Sequence, residues 1–138
     1  MSEIDSKLPE QVWHVLCENV RPELNNKMTI LGFFPTEKIV MSRNTQPPDN
    51  QVTRLEELAI VSILQGGSGI FPCKFELTDP TGGVLAGSDL PPADFTKSDG
   101  VTVVIKFQQF VVPHFGFYTY GLYVGSQRYN FRFEIVEA

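Results

Sequence analysis

From Tyr129 to Ile135 apolar and polar residues alternate without a break, with Tyr129, Phe131, Phe133 and Ile135 on one side and Asn130, Arg132 and Glu134 on the other. A period of two is that of an extended strand with one face on a core and one in water. Phe71, Cys73, Phe75 and Leu77 alternate with Pro72, Lys74, Glu76 and Thr78 in the same way, and Val101, Val103, Ile105 and Phe107 extend the pattern. Residues 12–17 and 58–64 are apolar on both faces and rich in β-branched side chains. This composition predicts strands covered on both sides, at the centre of a sheet.

The breaks between these runs carry turn chemistry. Asn25, Asn26 and Lys27 separate a first strand from residues 28–34 and suit a hairpin, because asparagine tolerates positive φ. Residues 66–69 (GGSG) and 79–83 (DPTGG) read as further turns, and Gly125 with Ser126 closes a C-terminal hairpin between residues 117–124 and 127–136. Only residues 5–11 and 53–57 have the character of short helical turns. Two polar stretches, each with a Pro-Pro pair, read as long loops: residues 42–54 and 86–100.

About eight or nine strands with no sustained helix define an all-β fold, a two-layer antiparallel β-sandwich of immunoglobulin-like, Greek-key type, in a single domain over residues 1–138 with the first ten flexible. The segment Pro113, His114, Phe115, Gly116, Phe117, Tyr118 has the form of a tyrosine corner, in which a hydroxyl bonds back to an upstream backbone group. An inward Tyr118 brings Tyr120, Leu122 and Val124 inward with it and leaves Phe117, Thr119 and Tyr123 outside. An antibody-type domain does not fit, since Trp13 precedes Cys17 on the same strand.

Composition narrows the function classes. At 138 residues the chain can bury one core. Sixteen acidic against eleven basic side chains give a formal charge of −5, which opposes binding to phosphate backbones, so nucleic acid is not an expected partner. No apolar run reaches the roughly 18 residues of a membrane-spanning helix, and the start MSEIDSKLPE has neither the basic opening nor the apolar centre of a signal peptide. A cytoplasmic location without membrane partners is expected, with Cys17 and Cys73 as reduced thiols packed in strands.

Cys17, Glu18, Asn19, Val20 and Arg21, followed by the run Asn26 to Gly32 (NKMTILG), resemble a family of small bacterial domains of unknown function. That family opens with a strand ending Cys-acid-acid/amide-Val-Arg and continues with a hairpin of the form Gly-Lys-x-Ser/Thr-Leu-x-Gly, where this chain has Asn26 in place of the first glycine. The likeness extends to residues 77–82 (LTDPTG) and to the closing hairpin with Gly116 and Tyr118. It implies a β-sandwich of bacterial, cytoplasmic origin and carries no activity with it.

Catalytic and metal chemistry finds little support. His14, His114, Cys17 and Cys73 are zinc-ligand types, but they lack paired spacing, and His14 and Cys17 point to opposite faces of a strand. Asp79, Asp89, Asp94 and Asp99 are calcium-ligand types, each better read as turn chemistry. No Gly-x-Ser-x-Gly elbow occurs, Glu56 and Glu57 are merely adjacent, and the glycines of 66–69 lack the lysine of a phosphate loop. No cofactor, metal or catalytic residue is therefore assigned. The expectation is a non-enzymatic module that binds another protein or assembles with itself. Its candidate binding residues are Phe117 and Tyr123 on an outward face, and Glu18, Asn19 and Arg21 at the first hairpin. In that hairpin Arg21 is expected to hold Glu18 or nearby carbonyls, while Glu23 and Lys27 add further charge. A carbohydrate-binding module is the alternative, with Phe117 and Tyr123 as stacking platforms and Asn44 and Asp49 as hydrogen-bonders. A small enzyme, with His14 or His114 beside a hydroxyl or carboxylate, is the third reading.

Overall fold

The computed structural model describes residues 6–41 and 53–138. Among the described residues, eight strands form two facing sheets. The smaller contains β1 (Gln11–Cys17), β5 (Arg54–Gln65) and β8 (Gly100–Val111) in the order β1-β5-β8. The larger runs β4-β10-β9-β6-β7, built from β4 (Lys38–Met41), β6 (Ile70–Thr78), β7 (Val84–Asp94), β9 (Gly116–Val124) and β10 (Gln127–Glu137). A separate hairpin, β2 (Asn19–Pro22) with β3 (Met28–Leu31), lies between β1 and β4 in the chain. All ladders between named strands are antiparallel except β4, which runs parallel to β10.

The core forms where the alternating runs meet. Leu16, Leu58, Ile60, Leu64 and Ile105 come from the small sheet and pack on Phe75, Leu77, Leu122, Phe131, Phe133 and Ile135 of the large one. Tyr118, Tyr120, Leu122 and Val124 are fully buried along β9, as the alternation predicts, and Phe117 and Tyr123 lie on the other face. Tyr118 stacks on Phe133 with ring centroids 5.6 Å apart and donates its hydroxyl to the His114 carbonyl at 2.5 Å, closing the corner between β8 and β9. Two-residue turns follow the sequence cues. Asn25 and Asn26 both adopt positive φ, 62° and 60°, the pair of left-handed residues that a hairpin turn of matching twist demands. Gly125, with Ser126, joins β9 to β10.

Several expectations are corrected. Residues 86–94 are not loop but most of β7, an edge strand hydrogen-bonded to β6 through two register shifts. Only one side of an edge strand needs backbone donors, so the polar side chains and Pro91 and Pro92 are tolerated there. Arg54 to Glu57 are strand rather than helical turn, since β5 extends to pair with the far end of β8. β1 is at a sheet edge instead of its centre. Its second apolar face is covered by the β2–β3 hairpin, not by strand neighbours on both sides. Of the first ten residues, 1–5 lie outside the described residues, and 6–10 contain no helical turn and are held to the body: Lys7 and Ser68 exchange backbone hydrogen bonds at 2.9 Å, Pro9 is buried, and Leu8 packs against the core. Residues 42–52 of the other expected loop, Asn44 and Asp49 included, lie outside the described residues.

Cys17 and Cys73 are unbridged and buried on different sides of the structure, Cys17 under the hairpin and Cys73 between the sheets. Desolvation raises both thiol pKa values, so little thiolate forms at neutral pH. A disulfide-exchange reagent is therefore expected to leave both unlabelled in the native protein and to modify both promptly in urea. Rapid native labelling of either thiol, or failure of both to react once unfolded without reductant, would contradict this arrangement.

Candidate functional site: an open sheet edge beside a hairpin groove

The hairpin forms because β1 ends at a sharp reversal. The Glu18 amide donates to the carbonyls of Leu31 and Gly32, and the Phe34 amide donates to that of Leu16. Gly32 is needed here on two counts: its φ is +65°, and the Glu18 side chain lies where a Cβ would stand. Alternation then gives the hairpin two faces. Val20 with Ile30 and Pro22 with Met28 share the lower face. Val20, Met28 and Ile30 pack on Val15, Cys17, Ala59, Val61 and Val104, the outer side of the small sheet. This second apolar cluster explains why residues 12–17 and 58–64 are apolar on both sides.

Between the hairpin and β8 a groove of about 750 Å³ remains open. Val20, Met28 and Val104 supply apolar lining, and Lys27, Lys106 and Glu23 line it with charge. Glu23 is already engaged, accepting the Thr29 hydroxyl at 2.8 Å and facing the Arg21 guanidinium at 3.8 Å. Among the described residues neither lysine has an ion-pair partner. The groove borders the outer edge of β8, which pairs with β5 on its inner side and, among the described residues, with nothing on the other.

The sequence-derived candidates fall on two separate surfaces. Glu18 packs over Gly32. Asn19 accepts the Val20 amide at 2.8 Å and reaches Glu57 of β5 at 3.4 Å, tying the hairpin to the sheet. Arg21 does not hold Glu18. It faces outward and pairs with Glu23, with both side chains largely exposed, so the pair contributes at most about 1 kcal/mol. Alternation is the reason: β2 sends Val20 under the hairpin and Arg21 above it.

Phe117 and Tyr123 lie on the outer face of the large sheet, six positions apart on β9 and so roughly 20 Å from one another. Each ring is met by a neighbouring cation. Arg132 sits 4.2 Å from the Phe117 centroid, and Lys74 and Arg128 approach Tyr123 from the two adjacent strands at 4.9 and 5.3 Å. Arg128 also donates to the Tyr123 hydroxyl at 3.0 Å and lies over Gly121. The two rings do not form a joint platform, and a sugar stacking on Tyr123 would compete with cations already at the ring.

The histidines and aspartates also find plain roles. His14 points into the sandwich, its Nδ1 2.8 Å from the Ser62 hydroxyl and its ring against Tyr120 and Phe131. Ser62 has no exposed surface. Desolvation lowers the imidazole pKa to about 4, which makes it too weak a base for proton transfer near neutrality. Sequence reasoning missed Ser62 and Tyr120 as partners of His14, since Ser62 joins it across the β1–β5 ladder and Tyr120 from the facing sheet. Asp79 accepts hydrogen bonds from the Thr81 hydroxyl and from the amides of Thr81 and Gly83, and Asp94 accepts from the hydroxyl and amide of Thr96. These bonds, led in each case by the threonine hydroxyl, hold both carboxyls below their usual range. Among the described residues no three His, Cys, Asp or Glu side chains converge as a metal site.

The described residues thus define an all-β sandwich with an open sheet edge beside a cationic groove. No family model and no curated protein sequence matches this chain. Among solved structures it is similar to part of a beta-glucosidase from Listeria innocua, crystallised in complex with gluconolactone, at 10% identity and a TM-score of 0.39. That match covers 91% of this chain and 16% of the other.

Proposed function

We propose that this chain is a non-enzymatic interaction module of immunoglobulin-like topology that docks a protein segment along the outer edge of β8. The topology is supported by the division of the first strand region between the sheets, β1 joining β5 and the later β4 running parallel to the last strand, together with the tyrosine corner at the start of β9. The observation that carries the docking reading is the contrast between sheet edges. β4 offers four residues, β1 offers seven with its Leu16 carbonyl already bonded to the Phe34 amide, and β7 carries Asp89, Pro91, Pro92 and two register shifts, devices that discourage pairing. β8 runs for twelve residues with no proline, five β-branched residues besides its final valine, and one charge, Lys106. Such an edge presents a long row of backbone donors and acceptors to an added strand. The family-like hairpin motif then forms the far wall of the groove beside it.

Selection of random twelve-residue peptides on the immobilised protein, followed by amide shift mapping, tests the reading. Selected peptides are expected to perturb the amides of β8 and leave those of β7 unmoved. Peptides that instead perturb the Phe117 and Tyr123 face, or a monomeric protein that selects none, would overturn it.

A further inference from the structure

We infer that the partner of β8 is an extended acidic segment, one of whose carboxylates enters the groove and meets Lys106 and Lys27. This rests on the reading of β8 as the docking edge and adds the chemistry of what docks there. Alternation along β8 sets Gly100, Thr102, Val104 and Lys106 on the groove side, and Val101, Val103, Ile105 and Phe107 toward the core. A strand laid along this edge places every second side chain on the groove side, opposite those positions. The residue facing Lys106 then sits in a site of positive charge. The residue two positions away faces Val104, with Met28 and Val20 across the groove.

Three features favour an acidic occupant. The groove holds two lysines with no ion-pair partner among the described residues. Its acid, Glu23, is bound to Arg21 and Thr29 on the hairpin's upper side. A second copy of the chain is the poorer occupant, since its β8 brings Lys106 as its sole charge and so adds a cation where an anion is wanted. Recognition of this kind divides the work in a familiar way: backbone pairing supplies affinity, and alternate side chains supply choice.

The test uses three soluble peptides of alternating valine and threonine, flanked by serine and glycine, identical except for a central Glu, Gln or Lys. Affinities are measured by fluorescence anisotropy on the full chain. The Glu peptide is expected to bind about tenfold tighter than the Lys peptide, with the Gln peptide between them. In the double variant Lys27→Gln, Lys106→Gln the three affinities are expected to fall within about twofold of one another. Neither lysine forms an ion pair among the described residues, and thermal melts verify that the variant is folded. Equal affinities in the parent, or a preference that survives in the double variant, would overturn the acidic partner. In either case amide shifts confined to β8 would leave the docking edge standing. No shift with any peptide would overturn both readings, and a dimer in sedimentation that excludes all three peptides would assign the edge to a second copy instead.

Discussion

Tyr118→Ala is expected to lower the unfolding free energy by about 4 to 5 kcal/mol, against about 1 to 1.5 kcal/mol for Tyr118→Phe. The side chain is fully buried, stacked on Phe133 and edge-on to Phe110, so truncation removes a large apolar surface and leaves a cavity between the sheets. Phenylalanine keeps the packing and loses the bond to the His114 carbonyl alone. The two costs therefore separate packing from the corner's hydrogen bond. Urea unfolding with unchanged slope measures both. An alanine variant within about 1 kcal/mol of the parent would show that the start of β9 does not hold the corner, and a phenylalanine variant as costly as alanine would put the energy in the hydroxyl.

Acid should weaken the fold through His14. Burial lowers its imidazole pKa from 6.5 to about 4, with desolvation as the cause, while the unfolded chain keeps the ordinary value. Between those two values the unfolded state binds a proton that the folded state refuses, so stability rises with pH across this window. The contribution of neutral His14 is fully present above about 6.5, is lost as pH falls toward 4, and changes no further below that. A tenfold change in proton affinity is worth about 1.4 kcal/mol, and the ring is only partly enclosed, so a loss of about 2 kcal/mol is expected across the window. His14→Gln can keep a hydrogen bond to Ser62 and does not titrate. The stability difference between about pH 7 and pH 4.5 should be smaller in this variant than in the parent by about that amount, the carboxylates contributing equally to both. An identical pH dependence in the two proteins would mean that His14 can take up a proton in place.

These expectations draw on both levels of the molecule. The alternation in residues 71–78, 101–107 and 129–135 was enough to specify strands and the faces they bury, because a period of two is a property of local backbone geometry. Turn chemistry was legible for the same reason: Asn25 and Asn26 need only their own φ, and Asp79 finds its partners within four residues. The tyrosine corner is likewise a contact across four positions, His114 to Tyr118.

Long-range relations were not legible. Residues 86–94 carry no strand signal, because β6 supplies the pairing that makes them one, and an edge strand needs hydrogen bonds on one side only. The double-sided apolar character of β1 and β5 fits a central strand and a covered edge strand equally well, and only the hairpin's fold over the small sheet decided between them. His14 gave no sign of its neutral state, since the burial that causes it comes from distant segments, Tyr120 and Phe131 among them. The candidate site was half visible. Lys27 stood out within the charged hairpin, whereas Lys106, Val104 and the open side of β8 join it through sheet order, which no local pattern encodes. Which residues extend, which turn and which face inward was written in the order of amino acids, because those choices follow from local geometry and hydrophobic burial. Which edge stays unpaired and which charges share a groove was decided by the assembled sheets, because pairing between strands is a contest among distant segments that the whole fold settles.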